Sequence, residues 1–84
     1  MHYTQIQKIV NKYDPLRLIA IGCPKDEYRA EVKNIKNLLV KDQTQEEVEK
    51  VVLKVFNKWF GKDLIRIREK RQLNKIAQSL SKLK

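Results

Sequence analysis

Between Gln45 and Phe60 the apolar residues Val48, Val51, Val52, Val55, Phe56, Trp59 and Phe60 recur at gaps of three and four. A helix turns once in 3.6 residues, so these side chains share one face; a strand would place its apolar set at alternate positions. Four of the seven are valines, whose branched side chains suit strands by propensity, but the period decides for a helix. The segment also carries its own start signal. Thr44-Gln45-Glu46-Glu47 is a capping box, in which the Thr44 hydroxyl takes the amide three residues on and the Glu47 carboxylate reaches back to the Thr44 amide. Glu46, Glu47 and Glu49 near the start, with Lys54 and Lys58 near the end, complement the helix dipole. Gly61 is the expected left-handed terminator.

The rest of the chain follows the same logic. Ile6, Ile9, Val10 and Tyr13 fall on one face and predict a helix over about 4–12, ended by Asp14-Pro15 because the residue before a proline leaves the α region. Pro15 suits a first helical position, where its missing N–H has no partner to lose, and Asp14 beside it can accept from exposed amides. A short helix over about 15–21, stopped by Gly22, accounts for the Asp, the Pro and the Gly together. Pro24 repeats the signal, with Asp26 and Glu27 placed for the positive end of a dipole. Tyr28, Val32, Ile35 and Leu39, widened by Leu38, give that helix its buried face over about 24–40, with Arg29, Lys33 and Lys36 outward. Lys41-Asp42-Gln43 is a polar connection. A last helix over about 63–82 takes Asp63 as its N-cap and Leu73, Ile76, Ala77, Leu80 and Leu83 as its apolar face. The stretch from Arg66 to Gln72 holds little that is apolar, which leaves open a break or register shift near Arg68 to Lys70. The fold class is all-α: one domain over 1–84, with four main helices and a short Pro-initiated helix near 15–21.

With 84 residues, these helices must share a single core. Apolar residues are 42% of the chain and charged residues 35%, enough to fold and unlike a disordered composition. One cysteine, Cys23, and one histidine, His2, exclude an intrachain disulfide and the four-thiolate and Cys2His2 zinc sets. No metal or cofactor is expected. The longest apolar run, Leu18 to Ile21, is far short of the roughly 20 residues that span a bilayer, and the first residues carry no signal-peptide pattern. The expectation is a soluble cytoplasmic protein with no membrane partner.

Two segments also resemble a known family. The aromatic-Asp-Pro-aliphatic start (Tyr13-Asp14-Pro15-Leu16), the Pro-x-Asp-Glu-Tyr-x-x-Glu segment (Pro24, Asp26, Glu27, Tyr28, Glu31) and the closing Val55-Phe56 and Phe60-Gly61 are similar to the YugE-like family, small all-helical bacterial domains of unknown function. The likeness covers most of residues 5–61. The family commonly has Trp where this chain has Tyr13, and the segment after Gly61 matches least. The resemblance implies a compact helical bundle and brings no catalytic residues with it.

Charge is unevenly spread. The formal net charge is +9, of which +6 falls in residues 62–84. Such a segment attracts polyanions or an acidic partner, although a solvated lysine-rich surface is the plainer reading. Arg66, Arg68, Lys70, Arg71 and Lys75 are the candidate polyanion-binding residues. No aromatic residue lies among them and no helix-turn-helix pattern is present, so binding there would rest on phosphates and be weak, salt-sensitive and sequence-blind. The second constellation is Asp14, Asp26, Glu27, Tyr28 and Glu31, a candidate partner-binding patch if the two Pro-led turns meet in space. Capping and loop orientation explain both aspartates more simply. Paired carboxylates do acid–base chemistry only in a pocket that shifts their pKa values, and Cys23 lacks a histidine to activate it, since His2 lies at a fraying terminus. Cys23 reads as a small, partly buried residue beside a turn. Trp59, with Phe56 and Phe60, offers either a stacking platform or core packing, and the continuous stripe favours the core. The chain therefore reads as a non-enzymatic protein-interaction module with an unidentified protein partner. Nucleic-acid binding through the basic last helix is the alternative and an antitoxin or immunity role ranks below it. Amphipathic helices of this kind are also compatible with a homodimer.

Overall fold

Four helices form where the three-and-four spacing puts them: α1 (Tyr3–Tyr13), α2 (Arg29–Leu38), α3 (Gln45–Phe60) and α4 (Ile67–Leu83). The structure is a computed structural model and describes residues 2–24, 26–61 and 63–83. Among the described residues there is no strand. Each helix packs against its neighbours in sequence, and α4 returns to pack on α1, closing a four-membered ring. The inner face of that ring is the core. It takes Ile6 and Val10 from α1, Val32 and Ile35 from α2, Val48, Val52, Val55 and Phe56 from α3, and Leu73, Ile76, Ala77 and Leu80 from α4. Tyr28 and Ile65, from the two connections, complete it. Burying each large side chain stabilises the fold by roughly 1.5–3 kcal/mol, against a total stability on the order of 5–15 kcal/mol for an ordinary domain.

Helix α3 begins and ends as its sequence predicts. Glu47 N donates to Thr44 Oγ1 at 3.2 Å, and Thr44 N donates to Glu47 Oε1 at 3.1 Å. Gly61 stops the helix with a positive φ of 82°, but its ψ of 160° lies outside the left-handed helical region. The other boundaries differ from expectation, each for an identifiable side-chain reason. Helix α2 starts at Arg29, five residues after Pro24. Residues 26–28 form tight turns, with Glu27 N on Pro24 O and Arg29 N on Asp26 O, both at 3.0 Å. Its far end is cut at Leu38 by Gln43, whose carboxamide accepts from Val40 N at 3.0 Å and donates to Leu38 O at 3.2 Å. Helix α4 starts at Ile67, and Asp63 is not its cap. Glu69 Oε1 accepts from Arg66 N at 3.0 Å, the returning half of a capping box. From there α4 runs unbroken through Arg68 to Lys70.

Residues 15–22 are the largest departure. In place of a short helix they form a chain of hydrogen-bonded turns: Arg17 N to Asp14 O, Ile21 N to Arg17 O, Gly22 N to Ile19 O and Cys23 N to Leu18 O. Arg17 lies at φ 58°, in the left-handed region, which interrupts any helical ladder. Gly22, at φ 96°, still ends the segment as expected. Trp59 also departs from its expected place. The period puts it on the inner face, but it sits in the last turn of α3 and is 49% exposed. Its Nε1 donates to Asn34 Oδ1 on α2 at 3.4 Å. Phe56 is buried, and Phe60 stacks on it with ring centroids 5.8 Å apart.

Candidate functional site

The acidic constellation divides into an internal half and an external half. Tyr28 precedes α2 and its side chain is fully buried, with its ring 6.0 Å from that of Phe56. Its hydroxyl donates to Asp14 Oδ1 at 2.5 Å and accepts from Leu16 N at 3.1 Å. Asp14 itself ends α1 in the left-handed conformation and turns its carboxylate over the following loop. There Oδ1 accepts from Ile19 N at 3.1 Å and Oδ2 from Ala20 N at 2.9 Å. The two Pro-led segments thus meet, the condition on which the sequence reading made a partner-binding patch depend. Their meeting joins Asp14 to Tyr28, and three further bonds to this pair, from the amides of Leu16, Ile19 and Ala20, order the loop over 15–22.

The titration behaviour follows from the same geometry. Burial pushes the Tyr28 phenol well above its ordinary value, and its bond to the Asp14 carboxylate pushes the same way. For Asp14, burial pushes the carboxyl up. The Tyr28 hydroxyl and the amides of Ala20, Ile19 and Leu18 outweigh it and hold the group below the usual carboxylate value. Glu31 is buried in α2, and its Oε2 has no hydrogen-bond partner. Burial raises its pKa and the negative charge of Glu27 adds to this, against the opposing effect of a backbone N–H bond. Asp26 and Glu27 are exposed, so of the five residues only these two present carboxylates to the surface. Asp26 contributes its carbonyl to the turn before α2, and its side chain does not cap that helix.

The basic residues lie outside. Arg66, Lys70, Arg71 and Lys75 are exposed, and none forms an ion pair among the described residues. Arg68 is more committed: Nη1 donates to Pro15 O at 3.0 Å and meets Glu69 Oε2 at 3.3 Å. With Gln72, whose Nε2 donates to Tyr13 O at 2.9 Å, it ties α4 to the end of α1. That docking enlarges the basic surface beyond α4. Tyr13 Oη lies 3.3 Å from Ser79 Oγ. The Ser79 bond draws the Tyr13 phenol below its ordinary value. Burial opposes the shift, and the nearby charges of Lys12, Lys75 and Lys82 assist it. Lys12 of α1 and Lys75 and Lys82 of α4 thus each lie near enough to Tyr13 for their charge to act on it.

A cleft of about 380 Å³ opens where the 15–22 loop meets the start of α4. Leu16 and Arg17 form one wall; Asp63, Leu64, Arg66 and the Arg68–Glu69 pair form the other. Arg66 Nε donates to Asp63 O at 3.3 Å, while Arg17 has no side-chain hydrogen-bond partner among the described residues. Sequence reasoning missed both Arg17 and Lys12, which belong to other segments and join the basic set only through tertiary contact. An arginine after Asp-Pro-Leu carries no signal of its own. Cys23 is half-buried beside Gly22. Among the described residues no group of three His, Cys, Asp or Glu side chains is placed to hold a metal ion, and no helix is long and apolar enough to cross a membrane. No protein-family model, curated protein or solved structure matches the chain, so the YugE-like resemblance rests on the residues quoted for it.

Proposed function

We propose that this chain is a non-enzymatic module that binds the phosphate backbone of nucleic acids through α4 and the end of α1. One observation carries the reading. Of the acids of the main constellation, Glu31 is buried and Asp14 is bonded to Tyr28 and the loop amides, whereas Arg66, Lys70, Arg71 and Lys75 face solvent without carboxylate partners among the described residues. Lys12 and Lys82 add positive charge near Tyr13. Arg71, Lys75 and Lys82 share the outward face of α4 by their spacing; unpaired cations so placed attract phosphates, and the release of condensed counterions drives the association. The contacts are to phosphate, so affinity is sequence-blind and on the order of 10⁻⁴–10⁻⁶ M at physiological salt.

A titration of RNA and DNA fragments at two salt concentrations tests it. Binding weakens steeply as salt rises, and replacing both Arg71 and Lys75 by Ala lowers the slope of log K against log salt by about 2. Absence of binding even at low salt removes the reading. The protein-interaction reading then takes its place, favoured by the exposure of Leu64 and Ile67 beside the same cations. An acidic protein and a second copy of this chain are the partners to test next.

A further inference from the structure

We infer that the cleft between the 15–22 loop and the start of α4 accepts one nucleotide of a single strand, and that Arg17 grips its phosphate. The inference rests on the phosphate-binding reading above and adds a preference that the α4 surface alone does not supply. Exposed cations on a helix face give no preference for the single strand, because the duplex offers phosphates at higher charge density. The cleft offers something else. At about 380 Å³ it lies at the small end of ligand-binding clefts, which run from roughly 300 to 1,000 Å³. Its walls pair two leucines, Leu16 and Leu64, with the guanidinium groups of Arg17, Arg66 and Arg68. An unstacked base can lie against the leucines and an arginine plane while its phosphate meets an arginine fork. A duplex keeps its bases inside the stack and cannot make the first of these contacts.

Arg17 is the residue most clearly given over to this role. Arg68 already holds Pro15 and Glu69, and Arg66 already holds the Asp63 carbonyl through Nε. Among the described residues Arg17 has no side-chain hydrogen-bond partner; it is exposed and occupies a positive φ of 58° that glycine or asparagine would adopt more readily. A long cationic side chain kept at a backbone position that disfavours it, at the lip of a cleft, points to use of that side chain. Glu69 spends both carboxylate oxygens on Arg66 N and Arg68, and Asp63, the other acid lining the cleft, has no side-chain partner among the described residues.

The test measures fluorescence anisotropy of a labelled oligouridylate and of an RNA duplex of equal length at low salt, with the full chain and its Arg17→Gly and Arg71→Ala variants. Glycine suits the left-handed backbone, so Arg17→Gly keeps the melting temperature of the parent. The expected result is tighter binding of the single strand by the parent. Arg17→Gly loses about tenfold in single-strand affinity with duplex affinity unchanged, and Arg71→Ala weakens both. Equal affinity for the two forms, or an Arg17→Gly variant that binds the oligouridylate as the parent does, overturns the cleft while leaving the α4 surface standing. Loss of both probes by the parent overturns the phosphate-binding reading and the cleft with it.

Discussion

Glu31 is a carboxyl in a place that disfavours its charge. It is only 5% exposed, its Oε2 has no partner, and Glu27 stands one helical turn before it. Its folded-state pKa is raised, first by burial and then by Glu27. The folded chain therefore holds this proton more tightly than the unfolded chain does. The associated stability is fully present below the ordinary carboxylate value and is lost as pH rises through the raised folded value. Asp14 runs the other way: its lowered pKa gives stability that is present above the ordinary value and lost as pH falls through the folded one. Glu31→Gln isolates the first effect, since glutamine keeps the shape without the charge. In urea unfolding at pH 7 the variant should be more stable by about 1 kcal/mol, the scale of an unsatisfied buried group. At pH 4 the gain should shrink. A variant no more stable than the parent at pH 7 would contradict the assignment.

Among the elements, α3 is specified most locally, and a single substitution tests this. Thr44→Ala removes the hydroxyl that accepts from Glu47 N and should cost about 1 kcal/mol, read as a lower urea midpoint with an unchanged slope. An unaltered midpoint would mean that packing alone fixes the start of α3. Helix existence was legible throughout because Ile6 and Val10, Val32 and Ile35, and Leu73, Ile76 and Leu80 keep the spacing of one buried face. Boundaries were legible only where the controlling residue sits within the same turn, as Thr44 and Glu47 do. The start of α2 was not, because Tyr28 must place its ring against Phe56 and its hydroxyl on Asp14, fourteen residues away. The 15–22 loop was misread for the same reason. Asp14 and Pro15 carry the signals of a helix start, but the Asp14 carboxylate takes the amides of Ile19 and Ala20. The ten residues singled out as site candidates split likewise. The basic five were recognisable from charge alone. That Asp14 and Tyr28 face each other depended on two loops meeting.

At the scale of the molecule, the ring of four helices has a radius of gyration of 11.6 Å. A compact domain of this length is expected near about 12 Å, so the connections are packed on the helices and not splayed from them. That compactness has two consequences. It brings Lys12 of α1 to Lys75 and Lys82 of α4, and it brings Arg17 of a loop to Arg66 and Arg68, building from distant segments a surface that no single segment carries. It also gathers a net charge of +9 on a small body, where the cations repel one another. The most direct measurement is a map of backbone amide chemical shifts as oligouridylate is added at low salt. The account predicts that the shifts concentrate at Arg17, Arg66, Lys70, Arg71 and Lys75, with Lys12 and Lys82 at the margin. Shifts centred instead on Asp26, Glu27 and Trp59, or none at saturating oligonucleotide, would contradict it.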